Sequence, residues 1–132
     1  MARLMLLLGL VLGTVPASAQ QVLVIRLTRS SDGTVYRFAP GRVKAKPGDV
    51  LEFRAESGAP YTVAFEPADL DARSRSLIAA ALSRPRGELR SPVLPDSGTR
   101  FRMTVPALSP GTYRFFELSH MAYRMAGLLL VE

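Results

Sequence analysis

The side chains best suited to chemistry crowd into one short stretch near the C-terminus, Glu117-Leu-Ser-His-Met-Ala-Tyr-Arg-Met125. It holds a carboxylate, the only imidazole of the protein (His120), two thioethers (Met121 and Met125) and a phenol (Tyr123). An imidazole can exchange protons near neutral pH or bind a metal, although a lone histidine is more often simply hydrogen-bonded. The rest of the composition narrows the choice. There is no cysteine, so disulfides, thiol redox chemistry, cysteine nucleophiles and thiolate zinc sites are excluded. One histidine also excludes multi-histidine metal centres. No Gly-x-Ser-x-Gly, no nucleophile–base pair and no phosphate-binding glycine loop is present. Asp69 and Asp71 read as a helix start, not as paired catalytic carboxylates. The protein is therefore expected not to be an enzyme.

The elements that must position these groups begin after the N-terminal stretch. Arg3, the apolar run Leu4 to Val15 and Ala17-Ser18-Ala19 have the order of a secretory signal peptide cut after Ala19. The run is shorter than the about 20 residues that a membrane-spanning helix needs. Residues 20–132 then form one domain with one core, in a protein expected to be exported, periplasmic or secreted, and not membrane-spanning. The absence of cysteine also excludes lipoprotein attachment. The formal net charge is +6, and the arginines are scattered along the chain. No basic run is interleaved with stacking aromatics, so no nucleic-acid partner is expected. A solvated basic surface, with an anionic surface as the remoter partner, is the reading of this charge.

Past residue 20 the dominant period is two. Leu51, Phe53 and Ala55 alternate with Glu52 and Arg54; Phe101, Met103 and Val105 alternate with Arg102 and Thr104; Tyr113 and Phe115 alternate with Arg114 and Phe116. Tyr61, Val63 and Phe65 follow the same rule, and Val22 to Leu27 is a near-continuous apolar run. One apolar face per strand is what a half-buried antiparallel sheet requires. Turn signals such as Lys46-Pro-Gly-Asp49, Gly58-Ala-Pro60 and Pro110-Gly111 separate the runs. The fold class is all-β, a sandwich of seven or eight strands. One inserted helix is predicted over Asp69–Ser83, with Leu70, Ser74, Leu77, Ile78, Ala81 and Leu82 on one face and Asp69 or Asp71 as cap.

Three blocks resemble the cupredoxins, the plastocyanin-like blue copper proteins. The first is Phe38-Ala-Pro-Gly-Arg-Val-Lys-Ala-Lys-Pro-Gly-Asp-Val-Leu-Glu-Phe53, similar to the family's Pro…Lys-Pro-Gly-Asp hairpin and the strand after it. The second, Gly58-Ala-Pro-Tyr-Thr-Val-Ala-Phe65, is similar to Pro-His-x-Val-x-Phe. The third, Gly111 to Val131, is similar to a strand Gly-x-Tyr-x-Phe-x leading into Cys-x-x-His-x-x-x-x-Met and a final apolar strand. The resemblance implies a Greek-key β-sandwich, copper as cofactor and electron transfer as activity. It places the metal-ligand positions at Tyr61, Glu117, His120 and Met125. His120 and Met125 keep the family's residue types, whereas Tyr61 stands for a histidine and Glu117 for the cysteine. It also implies an apolar patch around the histidine, here Met121 and Tyr123, where a protein partner docks.

A blue-copper site is trigonal His₂Cys with a weak axial methionine, and loss of the thiolate abolishes it. Three outcomes stay open. Copper could be held by Glu117, His120 and Met125, with Met121 as a second soft donor, in an atypical carrier, chaperone or electron-transfer protein. Alternatively, no cofactor is present and a polar cluster replaces the metal. In that cluster the Tyr61 hydroxyl donates to Glu117 and His120 pairs with the same carboxylate, because an unpartnered buried carboxylate is costly. Glu117 turning to solvent at its strand end is the third arrangement. The expected function is a cupredoxin-like domain with a degenerate copper site, acting as a binding or interaction module.

Overall fold

The computed structural model describes residues 19–84 and 86–132. The signal-peptide reading falls on residues outside this range, apart from Ala19, as does Pro85. Eight strands and one α-helix follow in the order β1 (Val22–Arg29), β2 (Tyr36–Ala39), β3 (Arg42–Ala45), β4 (Val50–Ala55), β5 (Val63–Phe65), α1 (Ala72–Ala81), β6 (Arg100–Thr104), β7 (Gly111–Glu117) and β8 (Ala126–Val131). They form two four-stranded sheets, β2-β1-β4-β6 and β3-β8-β7-β5. The inward residues expected from the alternation, among them Ile25, Leu27, Leu51, Phe53, Met103, Tyr113 and Phe115, fill one core. Phe115 is at its centre, edge-on to Phe38 and Phe53 at 4.9 and 5.7 Å between centroids. Gly127 lies opposite it, where a Cβ would come within 2.4 Å of the Phe115 ring, so the aromatic packs directly on bare backbone.

Three features differ from the sequence reading. The sheets are not wholly antiparallel: β1 pairs with β4, and β3 with β8, in parallel. Period-two patterning reports which face is buried and carries no strand direction. Second, Tyr61 to Phe65 is buried on both faces, because the segment after α1 runs beside β5. Tyr61 and Leu94 exchange backbone bonds at 2.9 and 2.7 Å, and Val63 O accepts from Ser91 N. Third, the helix is shorter than predicted. Asp71 is its cap, accepting from Ser74 N at 2.7 Å. Asp69 instead lies in a 3₁₀ turn and receives Arg114, Nη2 to Oδ1 and N to Oδ2, both at 2.9 Å.

The tight turns rest on such carboxylates, which gives the fold a pH dependence. Asp49 closes the Lys46-Pro-Gly-Asp49 turn by accepting from Lys46 N and Gln21 N. Those bonds hold its carboxyl below its ordinary 3.8. Arg114 does the same to Asp69, and the Ser74 N–H to Asp71. A carboxyl with a depressed folded pKa stabilises the fold above its ordinary value, and that stability is lost as pH falls through the folded value. The thermal midpoint is therefore expected to stay level from neutral pH to about 5 and to fall progressively below about 4, as calorimetry across that range would register.

Candidate functional site

Strand β7 aims its odd-numbered side chains inward, Tyr113, Phe115 and then Glu117. Glu117 is thereby placed inside the sandwich end, 1 % exposed, and does not turn to solvent. The chain leaves β7, makes a 3₁₀ turn over Met121–Tyr123, and closes it with Arg124 in the left-handed region at φ 54°. The Glu117 N–H then donates to Met125 O at 3.0 Å, which ties the loop shut where β8 begins.

This loop wraps the Glu117 carboxylate in N–H donors. Oε1 accepts from Thr62 N at 2.6 Å and from Ser119 N at 2.9 Å. Oε2 accepts from His120 N at 2.7 Å and meets His120 Nδ1 at 2.8 Å. A carboxylate is an acceptor-only group with about four lone-pair sites, and here four contacts fill them. Nδ1, facing that carboxylate, is the ring nitrogen placed to donate to it. Nε2 makes no hydrogen bond to a described residue. The His120 ring stacks on Tyr36 (centroids 4.2 Å apart, planes at 24°), and it is flanked by Tyr61 at 5.2 Å and Tyr123 at 6.3 Å. Its side chain keeps 14 % exposure.

Of the four residues singled out from sequence, Glu117 and His120 are joined directly. Tyr61 is in contact with the same ring, but its hydroxyl donates to Ser57 O rather than to Glu117. This corrects the expected Tyr61–Glu117 bond. The length of the tyrosine side chain carries its oxygen to the Ser57-Gly58 turn. Gly58, at φ +81°, leaves the room: a Cβ there would sit 2.7 Å from the Tyr61 oxygen. Burial, with Tyr36 and Glu117 adding to it, pushes the Tyr61 phenol up to about 12, so it remains a neutral donor. Met125 is buried and borders an open surface pocket of about 310 Å³ with Phe116, Met121, Arg114 and Arg124. Met121 and Tyr123 are 63 % and 49 % exposed and form the outer rim of the loop.

Sequence reasoning missed Tyr36, the stacking partner of His120. Its alternation with Phe38 was the available signal. The Thr62 and Ser119 N–H groups carry no residue-type signal at all. Among the described residues, no group of three or more His, Cys, Asp or Glu side chains gathers where it could hold a metal ion. Several of the donors that copper would need are already engaged. Both Glu117 oxygens and His120 Nδ1 are spent on one another and on backbone, and the Tyr61 oxygen points elsewhere.

No model of a known protein family matches the chain. Solved structures do. The oxidised plastocyanin of the fern Dryopteris crassirhizoma is 22 % identical, with a TM-score of 0.63 over 83 % of this chain and 99 % of that one. A pseudoazurin from Sinorhizobium meliltoi is 18 % identical, with a TM-score of 0.55 over 86 % and 75 %. A purple cupredoxin from Nitrosopumilus maritimus is 15 % identical, with a TM-score of 0.54 over 83 % and 99 %. With two sheets, eight strands and one short helix superposing on these proteins, the chain is a cupredoxin-fold domain.

Proposed function

We propose that this protein is an exported binding module on a cupredoxin scaffold, neither an electron carrier nor an enzyme. In this reading the Glu117–His120 pair takes the place that the scaffold's redox relatives give to copper. The loop end bearing Met121 and Tyr123 is the face offered to a protein partner. The observation that supports it is the saturation of the Glu117 carboxylate by four N–H groups. Glutamate is two bonds longer than cysteine, so its oxygens project from the thiolate position toward the centre of the loop. Here they meet hydrogen instead of a metal. Holding copper through the Glu117 carboxylate and His120 Nδ1 would require breaking their mutual contact and orphaning enclosed backbone donors, each at a cost of about 1–3 kcal/mol.

Calorimetric titration of the purified chain with Cu(II), and with Cu(I) under reducing conditions, tests this directly. No stoichiometric binding tighter than about 1 μM is expected. Tight one-to-one binding that disappears in His120→Ala would establish the copper-handling reading instead.

A further inference from the structure

The sheet β2-β1-β4-β6 turns one face to the core and the other outward. The outward positions are Arg37, Arg26, Arg54, Arg100 and Arg102, with Glu52 as the acid among them. Arginines that are scattered in sequence are gathered by the period-two rule onto one plane. Arg26 is in register with Arg54, and Arg54 with Arg100. This makes a row of guanidinium-bearing positions across three strands, about 4.8 Å from strand to strand. Like charges directly opposed across strands are unfavourable, and the compensation is partial. Glu52, almost fully buried, receives Arg54 at 2.5 Å and Arg102 at 2.9 Å. Arg26 touches Glu56 of the following loop at 3.4 Å. Arg37 and Arg100 are exposed with no salt bridge among the described residues, and Arg54 Nε is buried without a hydrogen-bond partner.

We infer that this sheet face is a docking surface for an anionic lipid bilayer. Charge complementarity carries the assignment, and the make-up of the face selects the occupant. The array is arginine-rich, and Val22 is its one large, clearly exposed apolar residue. An interface with another protein ordinarily centres on aromatic and apolar side chains, and single-stranded nucleic acid needs stacking aromatics. A headgroup plane needs only distributed positive charge, held by rigid arginine forks that match phosphate oxygens. The face lies on the opposite sheet from the strands that frame Glu117 and Met125, so membrane docking would leave that loop free.

The test is co-flotation of the full chain with vesicles of equal parts phosphatidylglycerol and phosphatidylcholine, against vesicles of phosphatidylcholine alone. Any contribution of the N-terminal stretch, Arg3 included, is common to the native chain and its variants and cancels in their ratio. Binding is expected to the anionic vesicles, weakened by salt. In Arg26→Gln/Arg37→Gln/Arg100→Gln it should fall by about a hundredfold, at about fivefold per arginine. These substitutions spare Glu52 and relieve opposed charge, so thermal melting should show the variant folded. Arg42→Gln/Lys44→Gln, on the other sheet, should change binding little. Equal losses in both variants, or no preference for anionic vesicles, overturns the inference. So does binding to poly-L-glutamate, but not to vesicles, that the triple variant abolishes; that result would assign the face to an acidic protein.

Discussion

Glu117→Leu is expected to lower the thermal midpoint by about 15 °C, an unusually large effect for one strand-end position. Leucine fits the volume but accepts nothing. It would leave Thr62 N–H, His120 N–H and His120 Nδ1 without the oxygens that now receive them at 2.6 to 2.8 Å. Each enclosed donor so orphaned costs about 1–3 kcal/mol. The Ser119 contact, at an exposed residue, is replaced by water and contributes little. A total of about 3 kcal/mol converts to roughly 15 °C at about 4–5 °C per kcal/mol, the low end of the range for domains of up to about 100 residues. Glu117→Gln keeps one carbonyl oxygen and turns the other acceptor into a donor, so about half the loss is expected. Scanning calorimetry of both variants at neutral pH gives the ranking Leu below Gln below native. A Glu117→Leu variant that melts with the native protein would mean that the carboxylate holds nothing together.

The second large effect is a gain. Tyr61→His combined with Glu117→Cys would supply the residue types of a trigonal His₂Cys set, with Met125 as the axial thioether. The double variant is expected to bind Cu(II) stoichiometrically with an intense thiolate-to-copper absorption, while the native chain stays colourless. Contacts already present favour this. The His120 ring is 5.2 Å from the Tyr61 ring, and Nδ1 is 2.8 Å from Glu117 Oε2. The loop is closed by the Glu117–Met125 backbone bond, which does not depend on either side chain. Either single variant lacks one member of the set and should remain without the band. A colourless, copper-free double variant that still folds would show that Tyr61 and Glu117 do not face a common centre with His120.

Much of this was legible in the residues. An inward Glu117 was one arrangement offered by its register with Tyr113 and Phe115, beside a solvent-facing one, and pairing with His120 was the partner that the cost of burying a lone carboxylate then called for. The turn at Lys46-Pro-Gly-Asp49 was equally readable, because short-range geometry dictates it, whereas the helix cap was narrowed only to Asp69 or Asp71. Direction and reach were not. The parallel pairing of β1 with β4 and β3 with β8 leaves no trace in alternation. The Tyr61 hydroxyl looked like a partner for Glu117 until its length carried it to Ser57 O. The arginine face was hidden because its members come from four strands far apart in sequence, and only the register of β2, β1, β4 and β6 brings them together.

The most direct measurement of the central claim, that a carboxylate–imidazole pair holds this loop in place of a metal, is a double-mutant cycle between Glu117→Gln and His120→Phe. Phenylalanine keeps the stack on Tyr36 while removing Nδ1, so the cycle isolates the contact at 2.8 Å. From denaturant unfolding, a coupling energy of about 1–2 kcal/mol is expected, within the range seen for residues sharing a hydrogen-bond network. Additivity of the two single effects within about 0.3–0.5 kcal/mol, the behaviour of independent sites, would contradict it.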